Sequence, residues 1–181
     1  MSYDSFGGVL GGHCNFLKHM CFKNFCDYLD LLEPSDEENP CRKVPDKYKE
    51  FRYFLNAVES FNNVMDYFYC EYKDQLAFKD ITPFRSRVHK EFPALGKIDD
   101  LANAYKHCVR RGAGKMRASE LQVNQLEISI DLSGEASITD ISFSFSGVLP
   151  EHHQILLGAW TFWIEYHQKP SPNIFISLKP D

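Results

Sequence analysis

The chain has 181 residues and 21.0 kDa, and is 44% hydrophobic, 25% charged and 14% aromatic. These values suit one globular domain with a sizeable core and exclude a disordered, collagen-like or low-complexity chain. The net charge of −5, from 20 Lys and Arg against 25 Asp and Glu, excludes a uniformly basic nucleic-acid coat while leaving room for a local basic patch.

The N-terminus, Met1-Ser2-Tyr3-Asp4-Ser5-Phe6, has neither the basic start nor the apolar run of a signal peptide. Six cysteines without a C-x-x-C pair then read as free, mostly buried thiols of a reducing, cytoplasmic setting. Gly7-Gly8 and Gly11-Gly12 read as a flexible lead-in. From there Cys14, Leu17, Cys21, Phe25, Tyr28 and Leu32 recur at three- and four-residue steps, one apolar helix face. An acidic loop flanked by Pro34 and Pro40 follows. Pro45 opens the longest helix, with a stripe of Phe51, Phe54, Leu55, Val58, Phe61, Met65, Phe68 and Tyr72.

Thr82-Pro83 marks the next start, with Phe84, Val88 and Phe92 on one face, broken at Pro93 and Gly96. Ile98, Leu101, Tyr105, Cys108 and Val109 form a further stripe that Gly112 and Gly114 end. Beyond Met116 the period changes to two. Leu126, Ile128, Ile130 and Leu132 alternate with polar residues, a Ser133–Ala136 turn intervenes, and Ile141, Phe143 and Phe145 alternate again, which predicts a β-hairpin. Pro150 opens a last helix to about His167. Its apolar run, Ile155 to Ile164, is far short of the roughly 20 residues of a membrane helix. Ile174, Ile176 and Leu178 offer a third, edge strand. The expected fold is α+β and mainly α, a helical bundle with a small antiparallel β-hairpin or three-stranded sheet near the C-terminus. A single domain over 1–181 is expected, helical over about 13–112, with the hairpin and final helix over about 120–181.

The most distinctive chemistry lies at the end of the fourth stripe. Lys106, Arg110, Arg111, Lys115 and Arg117 stand within twelve residues that contain no acid. Such a cluster suits binding of RNA or of an acidic protein partner. It equally suits a solvated helix C-terminus, where cations meet the dipole favourably. Arg111-Gly112-Ala113-Gly114-Lys115-Met116 is not a phosphate loop: it lacks the first glycine and the Ser/Thr, and follows a helix. With about 100° per residue, Asn103, His107 and Arg110 fall opposite the Leu101–Tyr105–Cys108 stripe. An imidazole beside an amide and a guanidinium can hold phosphate or move a proton near neutral pH.

Asp100-Leu101-Ala102-Asn103-Ala104-Tyr105-Lys106-His107 resembles the second-helix signature of HEPN domains, helical bundles that are often dimeric and occur in RNases and toxin–antitoxin systems. Their motif is an Arg, commonly followed by a polar residue, with a His a few residues on. The resemblance puts Asn103 and His107 on the polar and His positions, while Ala102 stands in the place of the Arg. It implies a metal-independent RNase with His107 as general acid/base, Asn103 beside it, and Arg110 or Lys106 in the role of the Arg. The pair Arg85 and His89 has too short a spacing for the motif.

The favoured expectation is a non-enzymatic interaction module, with the RNase, and a small-molecule pocket beside Trp160, as alternatives. A homodimer fits either of the first two. No cofactor, membrane or metal is expected: His13, Cys14, His19 and Cys21 are near in sequence but lack the i, i+4 spacing of a helical ligand pair, and His152-His153 are merely adjacent. No G-x-S-x-G elbow is present. Trp160, Phe162 and Trp163 read as core rather than as an aromatic box.

Overall fold

The computed structural model describes residues 11–32, 47–106 and 147–180, together with the backbone of 124–131 and 137–145. The N-terminal stripe forms one continuous path: α1 (His13–Phe16), a wide π turn (Leu17–Cys21) and α2 (Phe22–Leu32). The π turn buries Leu17 and Cys21 at its two ends and carries Lys18, His19 and Met20 outward. It keeps the buried face aligned across the join with α2, whose Phe25 and Tyr28 are 2% and 1% exposed.

The long helix α3 (Lys47–Tyr72) is the spine. Phe54, Val58, Phe61, Met65 and Phe68 are buried along one stripe, as the period requires. Ala57 and Ser60 are also buried, where α2 crosses. The small side chains permit close approach, and the Ser60 carbonyl accepts from the Cys21 thiol at 3.2 Å.

A one-residue corner joins α4 (Ile81–Glu91) to α5 (Pro93–Lys106). Pro83 lies in the first turn of α4 and Pro93 opens α5, positions whose backbone nitrogens need no intrahelical partner. Gly96, expected as a breaker, is instead inside α5. A Cβ there would stand 3.2 Å from His89 Cβ and 3.3 Å from the His89 carbonyl oxygen. The glycine costs helix propensity of about 1 kcal/mol and lets α4 and α5 close tightly, which brings His89 alongside Asp99.

Helix α6 (Pro150–Gln168) lies on this layer, and a short α7 (Asn173–Ile176) closes it. Trp163 is fully buried against Phe162, Tyr166 and Phe175. Trp160 stacks on Phe25 with ring centres 4.5 Å apart. These aromatics are core packing.

Two expectations are corrected here. The fold class is helical rather than α+β: the body formed by residues 11–32, 47–106 and 147–180 is 81% helix and holds no strand or sheet. The backbones of Asn124–Asp131 and Ser137–Phe145 run antiparallel beside each other. The proposed third strand is helix α7. Alternation of Ile174, Ile176 and Leu178 concealed Phe175, which with Leu178 forms a buried i, i+3 pair. Its turn is closed by Phe175 and Ile176 N–H groups donating to the Pro172 carbonyl at 3.0 Å.

The cysteines are less buried than expected. Cys21 is buried, Cys14 is half-buried, and Cys26 and Cys70 are exposed free thiols. The acidic loop, the hairpin turn and Cys41 and Cys108 lie outside the described residues. No helix among the described residues is long and apolar enough to cross a membrane.

Candidate functional site

Three polar helix faces converge beside the α4–α5 corner. Each has helical spacing: Asn62 and Asp66 on α3, Arg85 and His89 on α4, Asp99 and Asn103 on α5, with Lys106 one further turn along. Arg85 is the hub. Its Nη1 donates to Asp66 Oδ1 at 2.6 Å, and its Nη2 donates to Asn62 Oδ1 at 2.6 Å and Asp99 Oδ1 at 2.7 Å. His89 Nδ1 stands 3.8 Å from the other Asp99 oxygen. Lys106 pairs with Glu59 of α3 at 2.6 Å.

Between these faces lies an open groove of about 420 Å³. Asn62, Asn63 and Asp66 form one wall, Thr82, Arg85, Ser86 and His89 the second, and Asp99, Asn103 and Lys106 the third. Every lining residue is polar. The fixed charges alternate in sign, so the groove offers donors and acceptors in near balance.

Of the sequence-predicted site residues, Asn103 and Lys106 line this groove. His107, Arg110, Arg111, Lys115 and Arg117 lie outside the described residues. The sequence reading set the pair Arg85 and His89 aside and missed Asn62, Asp66 and Asp99 as site residues. The available signal was the repeated i, i+4 polar pair on the backs of three apolar stripes.

A second polar cluster is structural. The His13 ring donates from Nδ1 to Glu71 Oε2 at 2.7 Å, and its Nε2 accepts the Tyr166 hydroxyl proton at 2.8 Å. The His13 backbone N–H donates to the same Glu71 oxygen at 2.9 Å. Burial lowers the His13 pKa, outweighing Glu71, so the contact is a neutral imidazole on a carboxylate. Burial alone would raise the Glu71 pKa, and the His13 donors hold it below the ordinary value. The Cys14 sulfur is 3.4 Å from His13 Nε2, which resembles a nucleophile beside its base. Burial and Glu71 push that thiol pKa up, and Tyr166 already occupies the nitrogen, so the thiol is not activated. His19 is exposed and Cys21 faces Ser60, so the four N-terminal residues do not converge. Among the described residues no three His, Cys, Asp or Glu side chains gather as a metal site.

At the start of α6, His152 Nδ1 meets the Tyr105 hydroxyl at 3.1 Å and His153 Nδ1 meets the Tyr28 hydroxyl at 2.7 Å. Burial lowers the pKa of both rings, as it does for His13. Each ring is neutral when folded and takes up its proton near 6.5 when unfolded. The unfolded chain therefore binds more protons below about pH 6.5, so stability is full above that value and falls as pH drops towards the folded pKa. Thermal melts are expected to show a lower Tm at pH 5.5 than at 7.5, and a flat profile would contradict the assignment of neutral buried rings.

No protein family, curated protein or solved structure matches the chain.

Proposed function

We propose that the protein is a non-enzymatic RNA-binding module that engages the polyanion through Lys106 and the basic run that follows it in sequence. The supporting observation is that Lys106 both lines the polar groove and begins the acid-free run that adds Arg110, Arg111, Lys115 and Arg117, in a chain of net charge −5. Concentrated positive charge in an acidic chain gives local attraction for phosphates, driven by release of their counterions. The groove's amides and hydroxyls add directional contacts next to it.

The test is fluorescence anisotropy with labelled single-stranded RNA in EDTA, across salt. Wild type is expected to bind with an affinity that falls steeply with salt. Lys106→Glu/Arg110→Glu/Arg111→Glu is expected to bind at least about tenfold more weakly, with a shallower salt slope, at about 0.7 per lost phosphate contact. Equal binding by both proteins, or none by either, would overturn the reading and redirect the basic run to an acidic protein partner. RNA cleavage that His107→Ala abolishes would replace it with the metal-independent RNase, Asn103 and His107 then acting at the scissile phosphate.

A further inference from the structure

Resting on the RNA-binding reading, we infer that the outer face of the first two turns of α3 is a base-stacking platform, where Tyr48 carries an unpaired base of a single strand and Lys49 and Arg52 take the phosphates beside it.

Lys47, Tyr48, Lys49, Arg52 and Tyr53 crowd the opening of this helix. At about 100° per residue, Tyr48, Arg52, Lys49 and Tyr53 fall within an arc of about 140°. The buried Phe54, Val58 and Phe61 lie on the opposite side. Cations in the first turns of a helix oppose its dipole, so local stability does not account for them. None of Lys47, Lys49 and Arg52 has an ion-pair partner among the described residues. Glu50, the acid of the first turn, is turned away from them: its Oε2 would lie 3.7 Å from a Cβ at Gly147, just before α6.

The rings select the occupant. Tyr48 is 59% exposed, the most exposed large hydrophobic side chain among the described residues. Tyr53 instead packs on the core and keeps both cations at the surface. Lys49 Nζ and Arg52 Cζ stand 5.9 Å and 5.5 Å from its ring centre, within cation–π reach. An exposed ring beside anchored cations is the pairing a single strand requires, a π face for a base and positive charge for phosphate. An acidic peptide would use the cations alone, and a duplex keeps its bases stacked inside.

Position joins this face to the basic run. The Phe51 ring lies 5.0 Å from that of Tyr105, and Lys106 pairs with Glu59 at 2.6 Å. Glu59 is seven residues beyond Arg52, which places it about 10 Å along the helix and within about 20° of the same row. The acid-free run therefore begins, at Lys106, on the side of α3 that carries Arg52 and Tyr48, so that charge and ring are offered to one strand.

The experiment measures anisotropy of one labelled RNA sequence, as a single strand and as its duplex, across salt. The proteins are wild type, Tyr48→Ala, Tyr48→Phe and Lys49→Gln/Arg52→Gln. All three positions are exposed, and circular dichroism verifies the fold. Wild type is expected to prefer the single strand. Tyr48→Ala is expected to weaken single-strand binding by about tenfold, within the range for one lost base stack, with the salt slope and duplex binding unchanged. Tyr48→Phe keeps the π face and is expected to match wild type. Lys49→Gln/Arg52→Gln is expected to lower the salt slope by about 0.7 for each lost phosphate contact. Equal wild-type affinity for strand and duplex, full single-strand binding by Tyr48→Ala, or an equal loss in Tyr48→Phe and Tyr48→Ala would each overturn the platform and leave the RNA-binding reading standing. An unchanged slope in Lys49→Gln/Arg52→Gln would overturn the assignment of the phosphates to this face. Absence of RNA binding by wild type would overturn both readings.

Discussion

Phe68→Ala is expected to lower stability by about 3–5 kcal/mol, the range for removing a large aromatic from a core. Phe68 is fully buried. Its ring lies 4.9 Å from His13, 4.7 Å from Tyr72, 6.1 Å from Phe84 and 4.9 Å from Phe175. It therefore joins α1, α3, α4 and α7 at one point, and no single neighbour can relax to fill the space. For a chain of this size each kcal/mol shifts Tm by about 2–4 °C, so a drop of roughly 6–20 °C is expected. Phe68→Leu keeps most of the apolar volume and should cost less than half as much. Calorimetry of the two variants checks this. Similar small losses in both would show that the ring is not the junction described.

Arg85→Met is expected to cost about 2 kcal/mol in urea unfolding. Removing one partner of a buried pair costs about 3–5 kcal/mol. Arg85 keeps 17% exposure and Asp66 keeps 45%, so solvent screens part of that. The remainder comes from leaving the Asp99 carboxylate, at 19% exposure, and the buried Asn62 oxygen without their donor. Asp99→Asn in the Arg85→Met background removes the stranded charge. The double variant is expected to recover about 1 kcal/mol relative to the sum of the singles. Strict additivity would mean that the guanidinium does not hold α3, α4 and α5 together.

The helices were legible because burial imposes its period directly on the residues. Phe54, Val58, Phe61, Met65 and Phe68 appear in the sequence as they appear in the core. Pro150 marks where α6 begins because only a first turn tolerates its missing N–H, and Pro93, read as a break, opens α5 for the same reason. Errors arose where a local pattern was allowed to decide a tertiary question. Period-two alternation at Ile174 described a face, but whether that face belongs to a strand or a helix depends on what it packs against. Gly96 has the propensity of a breaker, and only the approach of His89 explains its place inside a helix. The groove was least legible. Asn62/Asp66, Arg85/His89 and Asp99/Asn103 each look like an ordinary solvated face, and they become one site only through the α4–α5 corner.

Glu71 spends one oxygen on two tasks, receiving both the first backbone N–H of α1 and the ring that the same residue carries. The partner lies 58 residues away in sequence, on the spine helix, and His13 in turn grips Tyr166 on α6. Gly12, at φ 116°, makes room, since a Cβ there would meet Glu71 Oε2 at 2.7 Å. A helix end ordinarily frays independently of the rest of its protein. Here the beginning of the first described helix is tied to the central packing, so its amide hydrogens are expected to exchange with that packing and not as a terminus.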